Sequence, residues 1–232
     1  NGPWFGINED EKFSPSSLIK VPLMMTYFKE AEQNPALLSQ RILVSEKDDG
    51  GMEQNYPPAV SLIKGEQLTA EELINRMIIY SDNHAYDLLL KNIDNTLVFA
   101  VYSDFDINMA LANQTDPNGN IISVKDYASF FRILYNSSYL TNTMSERALS
   151  LLSKSTFKKG IVAGIPSTVV TAHKFGERDY ELMGEKQLHD CGIVYVPKKP
   201  YLLCIMTRGS GYTPLVSAIQ SLSKITYDEV VK

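Results

Sequence analysis

Between Ser14 and Phe28 the apolar residues Leu18, Ile19, Leu23, Met24 and Phe28 recur at helical spacing, and the pattern starts near Ser16. Pro22 is compatible with this helix because it falls early in it. The stretch from Asn34 to Pro58, punctuated by Pro, Gly and Asp, predicts a short helix and then an irregular connection containing the Asp48-Asp49-Gly50-Gly51 turn. No motif is expected there. Thr69-Ala70-Glu71-Glu72 has the form of a capping box and opens an amphipathic helix through Ile79. A second helix is expected from His84 to Lys91, with Ser81-Asp82-Asn83 between the two. Further helices are expected over 96–103, over 124–135 behind a Ser123 cap, and over 144–152 behind Thr143 and Glu146.

After Gly160 the period changes from helical to alternating. Residues 167–176, 188–196 and 201–208 read as strands, and 214–223 as a closing helix. The strand-like residues Trp4 to Ile7 are expected to join the C-terminal hairpin. Strands at both ends with helices between them predict an α+β fold, an antiparallel sheet with flanking helices beside an all-helical lobe. Residues 1–232 read as one domain, with a sheet lobe from 1–30 and 153–232 and a helical lobe from 31–152. Because the chain opens abruptly at Asn1, part of the sheet lobe is expected upstream of it.

Composition narrows the function classes. A chain of 232 residues that is 44% hydrophobic can bury a substantial core. Its net charge of −5 is spread along the chain without a basic run, which argues against a nucleic-acid partner. No apolar stretch approaches the roughly 20 residues that cross a bilayer, so no membrane span is expected within this chain, and its first residues carry no signal peptide. If Lys198 and Lys199 sit at the centre of the last hairpin turn, Cys191 faces Met206 and Cys204 faces Ile193. The cysteines are then diagonal, and two buried thiols are expected rather than a disulfide.

Candidate chemistry begins with Ser17-Leu18-Ile19-Lys20. The S-x-x-K spacing puts a hydroxyl and an amine one helical turn apart, where a neutral lysine can take the serine proton. Ser61 to Lys64 and Ser155 to Lys158 have the same form, but only Ser17 starts a long apolar helix whose N-terminus can stabilise an oxyanion. Ser61 precedes a glycine turn, and Ser155 reads as part of a solvated loop. In Ser81-Asp82-Asn83, Ser81 can pass a proton to a leaving group, Asn83 can bind a substrate amide, and Asp82 braces the turn. Lys174-Phe175-Gly176 falls on a predicted edge strand, where the cation can hold a carboxylate and the glycine lets backbones approach. A second ammonium near Lys20 would also lower that lysine's pKa.

The ordered series S-x-x-K, S-D-N, K-x-G resembles the penicillin-recognising serine enzymes, class A β-lactamases and penicillin-binding D,D-peptidases, over nearly the whole chain. The resemblance implies a cleft between the two lobes in which Ser17 attacks a β-lactam or a D-alanyl-D-alanine carbonyl. Ser17, Lys20, Ser81 and Lys174 are then catalytic, and Asn83 and Gly176 substrate-binding. It implies no metal or organic cofactor, a small-molecule β-lactam or cell-wall peptide as partner, and an extracytoplasmic bacterial setting.

Two positions depart from the family's pattern. Class A β-lactamases carry a glutamate between the second and third motifs that activates the deacylating water, whereas Asn108 to Ile122 here contains a single carboxylate, Asp116, in turn chemistry before Pro117. Slow deacylation is expected, which favours a D,D-peptidase-like activity over the alternatives of a true β-lactamase and a non-catalytic envelope binding module. Phe175 replaces a residue that usually offers a hydroxyl to the substrate carboxylate. Lys174 then bears more of that anchoring, with His189 on the neighbouring strand ahead of His173 and Arg178 as its helper. Tyr80 and Tyr86, beside the S-D-N turn, read as core.

Overall fold

The computed structural model describes residues 3–46, 54–105, 107 and 119–232. In chain order, β1 (Lys12–Phe13) precedes a 3-10 turn at Ser16–Ile19 that runs directly into α1 (Lys20–Gln33). There follow α2 (Ala36–Ser39), β2 (Arg41–Leu43), β3 (Gln67–Thr69), α3 (Ala70–Ile79), α4 (Asn83–Lys91) and α5 (Asn95–Ser103). Next come β4 (Ile122–Ser123), α6 (Val124–Asn136), α7 (Asn142–Leu152), the strands β5 (Thr171–Tyr180), β6 (Glu185–Val194) and β7 (Tyr201–Gly209), and α8 (Tyr212–Val231).

The capping chemistry behaves as expected at two helices. Thr69 Oγ1 accepts the Glu72 N–H while Glu72 Oε2 accepts the Thr69 N–H, and Ser123 and Asp126 form the same reciprocal pair at α6. At α7 the cap is Thr141 rather than Thr143. Thr141 keeps an extended backbone and its hydroxyl accepts the Met144 N–H, so Thr143 falls inside the first turn. α8 continues to Val231, beyond the expected Ser223, helped by the Lys224–Asp228 pair one turn apart.

The three long strands form one antiparallel sheet in the order β5-β6-β7, with β5 at an edge. α6 and α7 pack on one face and α8 on the other. The two-residue alternation of β5 decides what the site receives: Ala172 turns into the main helical core, while Phe175 joins the core between sheet and α8 with Phe157, Leu188 and Ile219. Lys174 therefore stands on the helical side and Phe175 on the other. α1 packs chiefly against α2, α3, α5 and α7, so of the N-terminal 30 residues it is the preceding 3-10 turn that touches β5. On the face of the sheet shared with Phe175, the buried Asp190 carboxylate bonds His173 Nδ1 and accepts the Ile161 N–H, both at 2.8 Å, which fixes the loop after α7 to the sheet.

Two expectations are corrected. Trp4, Phe5 and Ile7 are exposed and form no strand, because the chain turns at Asn8, whose φ is +52°, and the Asn8 carbonyl accepts the Glu11 N–H. The segment that pairs is Lys12–Phe13, against Ile122–Ser123. Cys191 and Cys204 are directly opposite one another, with Cα atoms 3.9 Å apart, and form a disulfide. The turn between β6 and β7 is centred on Pro197-Lys198, closed by the Lys199 N–H to the Val196 carbonyl. Pro197 supplies its first central position and Lys198, with φ +65°, its second, as a type II turn requires. The register thereby shifts by two residues from one centred on the two lysines. Among the described residues no helix is long and apolar enough to cross a membrane.

Replacing Thr69 by Ala removes the reciprocal cap that starts α3 and is expected to lower stability by about 1 kcal/mol. Urea unfolding of Thr69→Ala beside the parent chain measures it, with an unchanged far-ultraviolet spectrum showing that the helix itself persists.

Candidate active site

Ser16, with φ +48°, turns the chain so that Ser17 lies in the 3-10 turn leading into α1, and Lys20 follows as the helix's first residue. Three residues of helical rise bring the Lys20 Nζ within 3.0 Å of the Ser17 Oγ. The same nitrogen lies 2.7 Å from the Ser81 carbonyl, 3.3 Å from the Ser81 Oγ and 2.5 Å from the Asn83 Oδ1. Lys20 is 1% exposed, and burial lowers its pKa to about 7 against the opposing influence of Asp82, Asp87 and Glu177. Near neutral pH a large share of the amine is thus uncharged, with a lone pair to accept the Ser17 O–H.

The S-D-N turn owes its shape to strain held by hydrogen bonds. Ser81 has φ +57°, a left-handed conformation costing a serine roughly 1–3 kcal/mol. This turns its carbonyl toward two donors, Lys20 Nζ and, at 3.1 Å, Gln54 Nε2. Asp82 braces the turn as expected: Oδ1 accepts the Ala85 N–H as the cap of α4, and Oδ2 accepts both Nε and Nη2 of Arg76 at 3.1 Å. Asn83 is then the first residue of α4.

From the opposite wall, the fully buried Lys174 Nζ donates to the Ser81 Oγ at 2.8 Å and to the Phe175 carbonyl at 2.9 Å. Burial, followed by the Lys20 charge, pushes its pKa well below the ordinary lysine value. The expected influence of one lysine on the other is therefore felt by Lys174, while burial lowers Lys20. Gly176 is a matter of close approach: a Cβ there would lie 3.0 Å from Leu18 Cγ and 3.1 Å from the Pro15 carbonyl, pressing β5 off the turn that carries Ser17.

The five residues Ser17, Lys20, Ser81, Asn83 and Lys174 are therefore brought together, and Gly176 abuts them. His189 is not part of this group. It is fully buried, with Nε2 bonded to the Ser14 carbonyl and Nδ1 to the Thr207 N–H, so neither ring nitrogen is left for a substrate carboxylate. Burial lowers its pKa to about 4, which keeps it neutral. His173 is taken up by Asp190. The decoy Ser155 is buried rather than solvated, and Lys158 bends back to donate to its carbonyl. Asp116 and the Asp48–Gly51 turn lie outside the described residues.

The connection expected to hold no motif contributes to the site. Gln54 bonds the Ser81 carbonyl, and the Tyr56 N–H is accepted at 3.0 Å by Glu177 Oε1, whose pKa burial raises. The available signals were a stiff aromatic Tyr56-Pro57-Pro58 run and a carboxylate immediately after the K-x-G motif.

The chain is similar to known proteins. A model of the β-lactamase enzyme family matches residues 1–230. β-Lactamase L2 of Stenotrophomonas maltophilia is 34% identical over 89 residues, a match covering 38% of this chain and 28% of that relative. Among solved structures, the β-lactamase from Sphaerobacter thermophilus has a TM-score of 0.79 at 21% identity, with 97% of this chain and 86% of that one covered. PBP-A has a TM-score of 0.75 at 18% identity, with 95% and 82% covered. These structural likenesses establish the fold.

Replacing Asp82 by Ala removes the cap of α4 together with the Arg76 pair and is expected to cost about 2 kcal/mol. Chemical denaturation of Asp82→Ala and of Arg76→Gln tests it, the second costing less because the cap survives.

Proposed function

Because the chain belongs to the β-lactamase enzyme family of serine hydrolases, we propose that it forms an acyl-enzyme on Ser17 with D-Ala-D-Ala-type peptides or β-lactams, and deacylates slowly. The observation that carries this reading is the position of Lys20 Nζ, within hydrogen-bond reach of both the Ser17 and Ser81 hydroxyls. Neutral Lys20 takes the Ser17 proton as Oγ attacks the carbonyl carbon, and the N-terminus of α1 faces the developing oxyanion. The proton passes from Lys20 to Ser81 Oγ as Ser81 gives its own to the departing group, and Lys174, 2.8 Å away, favours the electron-rich form of that hydroxyl. Asn83, its Oδ1 held by Lys20, turns its amide N–H toward a substrate carbonyl.

The oxygens around Lys20 Nζ come from hydroxyls, a backbone carbonyl and an amide, a set suited to acylation. Slow hydrolysis of the ester rests on the sequence between Asn108 and Ile122, whose single carboxylate is Asp116. An extracytoplasmic setting, with cell-wall peptide as the natural substrate, is supported by the family and by the Cys191–Cys204 disulfide, a bond that persists in oxidising compartments.

Incubation with penicillin G and a chromogenic cephalosporin, followed by intact mass and product release, tests the reading. A long-lived adduct on Ser17 is expected. Rapid turnover would reassign the chain as an efficient β-lactamase, and neither adduct nor product would overturn acyl transfer altogether. The acylation rate should climb with pH to a plateau above a midpoint near 7, since below it Lys20 is protonated and cannot receive the serine proton. Lys20→Met should lower that rate by about a thousandfold or more while leaving the fold intact by circular dichroism.

A further inference from the structure

A cavity of about 370 Å³ borders the site on one side. Its walls include Tyr80, the neighbour of Ser81, and Phe175, the neighbour of Lys174, together with Tyr56 and Phe157, and Lys158 and Lys159 line it as well. The Phe175 ring centroid is 4.4 Å from Lys174 Nζ, which is 2.8 Å from the Ser81 Oγ. On the reading that Ser81 protonates the departing group, the cavity adjoins that step through Tyr80, next to Ser81, and Phe175, next to Lys174.

Its walls form a prebuilt aromatic box. Phe157 and Phe175 stack with centroids 4.0 Å apart and planes 15° from parallel, and Tyr56 meets both edge-on at 5.1 and 5.9 Å. Tyr56 is held by its own backbone N–H to Glu177, and the adjacent Asn55 Nδ2 donates to the Tyr212 hydroxyl at 3.1 Å. The box is thus ordered before any ligand arrives, which lowers the entropy cost of filling it. Among the described lining residues the charged side chains are both cationic: Lys159 Nζ lies 4.9 Å from the Tyr56 ring centroid and Lys158 is its neighbour, while Glu177 stands behind Tyr56, its carboxylate accepting the Tyr56 N–H. A methyl-sized group such as the side chain of a terminal D-alanine would leave most of this volume empty.

We propose that this cavity is a leaving-group subsite for an aromatic side chain on a carboxylate-bearing leaving group. The inference rests on Ser17 being the acylated residue. Phe175 gives up the hydroxyl that would hold a carboxylate close to the scissile bond, and the box replaces it with ring faces and outlying ammonium groups. The preferred substrate is an acyl ester or amide whose leaving half is an aromatic hydroxy or amino acid. In the ester case the Ser17 Oγ–carbon bond forms and the carbon–oxygen ester bond breaks. The Ser17 proton goes to Lys20 and on to Ser81 Oγ as Ser81 gives its own proton to the departing alkoxide, which leaves as the aromatic hydroxy acid.

Two esters with one acyl group test this on the intact protein: hippuryl-D-lactate and hippuryl-D-phenyllactate, which yield the same hippuryl-enzyme and differ only in the ring that departs. The second-order acylation rate, read by intact mass, should be about tenfold higher for the phenyllactate ester. Phe157→Leu should shrink that ratio severalfold, and Lys159→Gln should slow the phenyllactate ester at low salt. Equal rates, a faster lactate ester, or a ratio unchanged in Phe157→Leu would overturn the subsite, and the parent-chain comparison stands even if the variant does not fold. Failure of both esters and of penicillin G to acylate Ser17 would instead overturn the acyl-enzyme reading and the subsite with it.

Discussion

One buried amine holds this structure's working parts together. Lys20 Nζ contacts a serine from the 3-10 turn that leads into its helix, a serine hydroxyl and carbonyl from the strained turn before α4, and the amide of Asn83. Burying a lysine is expensive unless it sheds its charge or gains partners, and here both happen: its pKa falls to about 7 and four oxygen contacts surround it. The left-handed backbone at Ser81 makes sense in this light, since a relaxed turn would aim its carbonyl elsewhere and leave the amine short of an acceptor. Chemistry and architecture meet at that point. The amine within reach of both serine hydroxyls is also the one that secures the S-D-N turn to the helix that follows Ser17.

Around this centre the sheet and the helices have divided labour. α1, α3 and α4 deliver Ser17, Lys20, Ser81 and Asn83, whereas β5 delivers Lys174 from the edge of the sheet. The alternation of β5 sends Lys174 toward Ser81 and Phe175 into the core against α8, so adjacent residues serve different purposes. The aromatic packing around Phe175 then shapes the neighbouring cavity. A substitution that looks like a lost hydroxyl in the sequence is, in three dimensions, part of a wall.

Much of this was legible in the sequence because it depends on short-range rules. The capping boxes at Thr69 and Ser123, the helical face after Ser17, and the three ordered motifs all express spacing within a few residues, and the five residues they name converge. What sequence did not reveal depends on turn geometry or distant partners. The cysteine pairing hinged on whether Pro197-Lys198 or Lys198-Lys199 occupied the turn centre, and one residue at the turn moves the opposing strand by two. Trp4 to Ile7 alternated like a strand, but Asn8 bends the chain away before the sheet is reached. His189 was placed on the right strand, yet its two nitrogens are spent on Ser14 and Thr207, contacts made across the fold. Gln54 and Tyr56 were missed for the same reason, since their partners, Ser81 and Glu177, are far along the chain.

Gly176 has a bearing on the width of the gap between β5 and the turn that carries Ser17. With only a hydrogen where other residues carry a carbon, β5 settles against Pro15 and Leu18 at van der Waals distance, and the position of Lys174 relative to Ser17 follows from that contact. The missing methyl works as a calibrated spacer. It fixes how far β5 stands from the turn that carries Ser17, so the reach of the Lys174 ammonium group is governed by an atom that is not there.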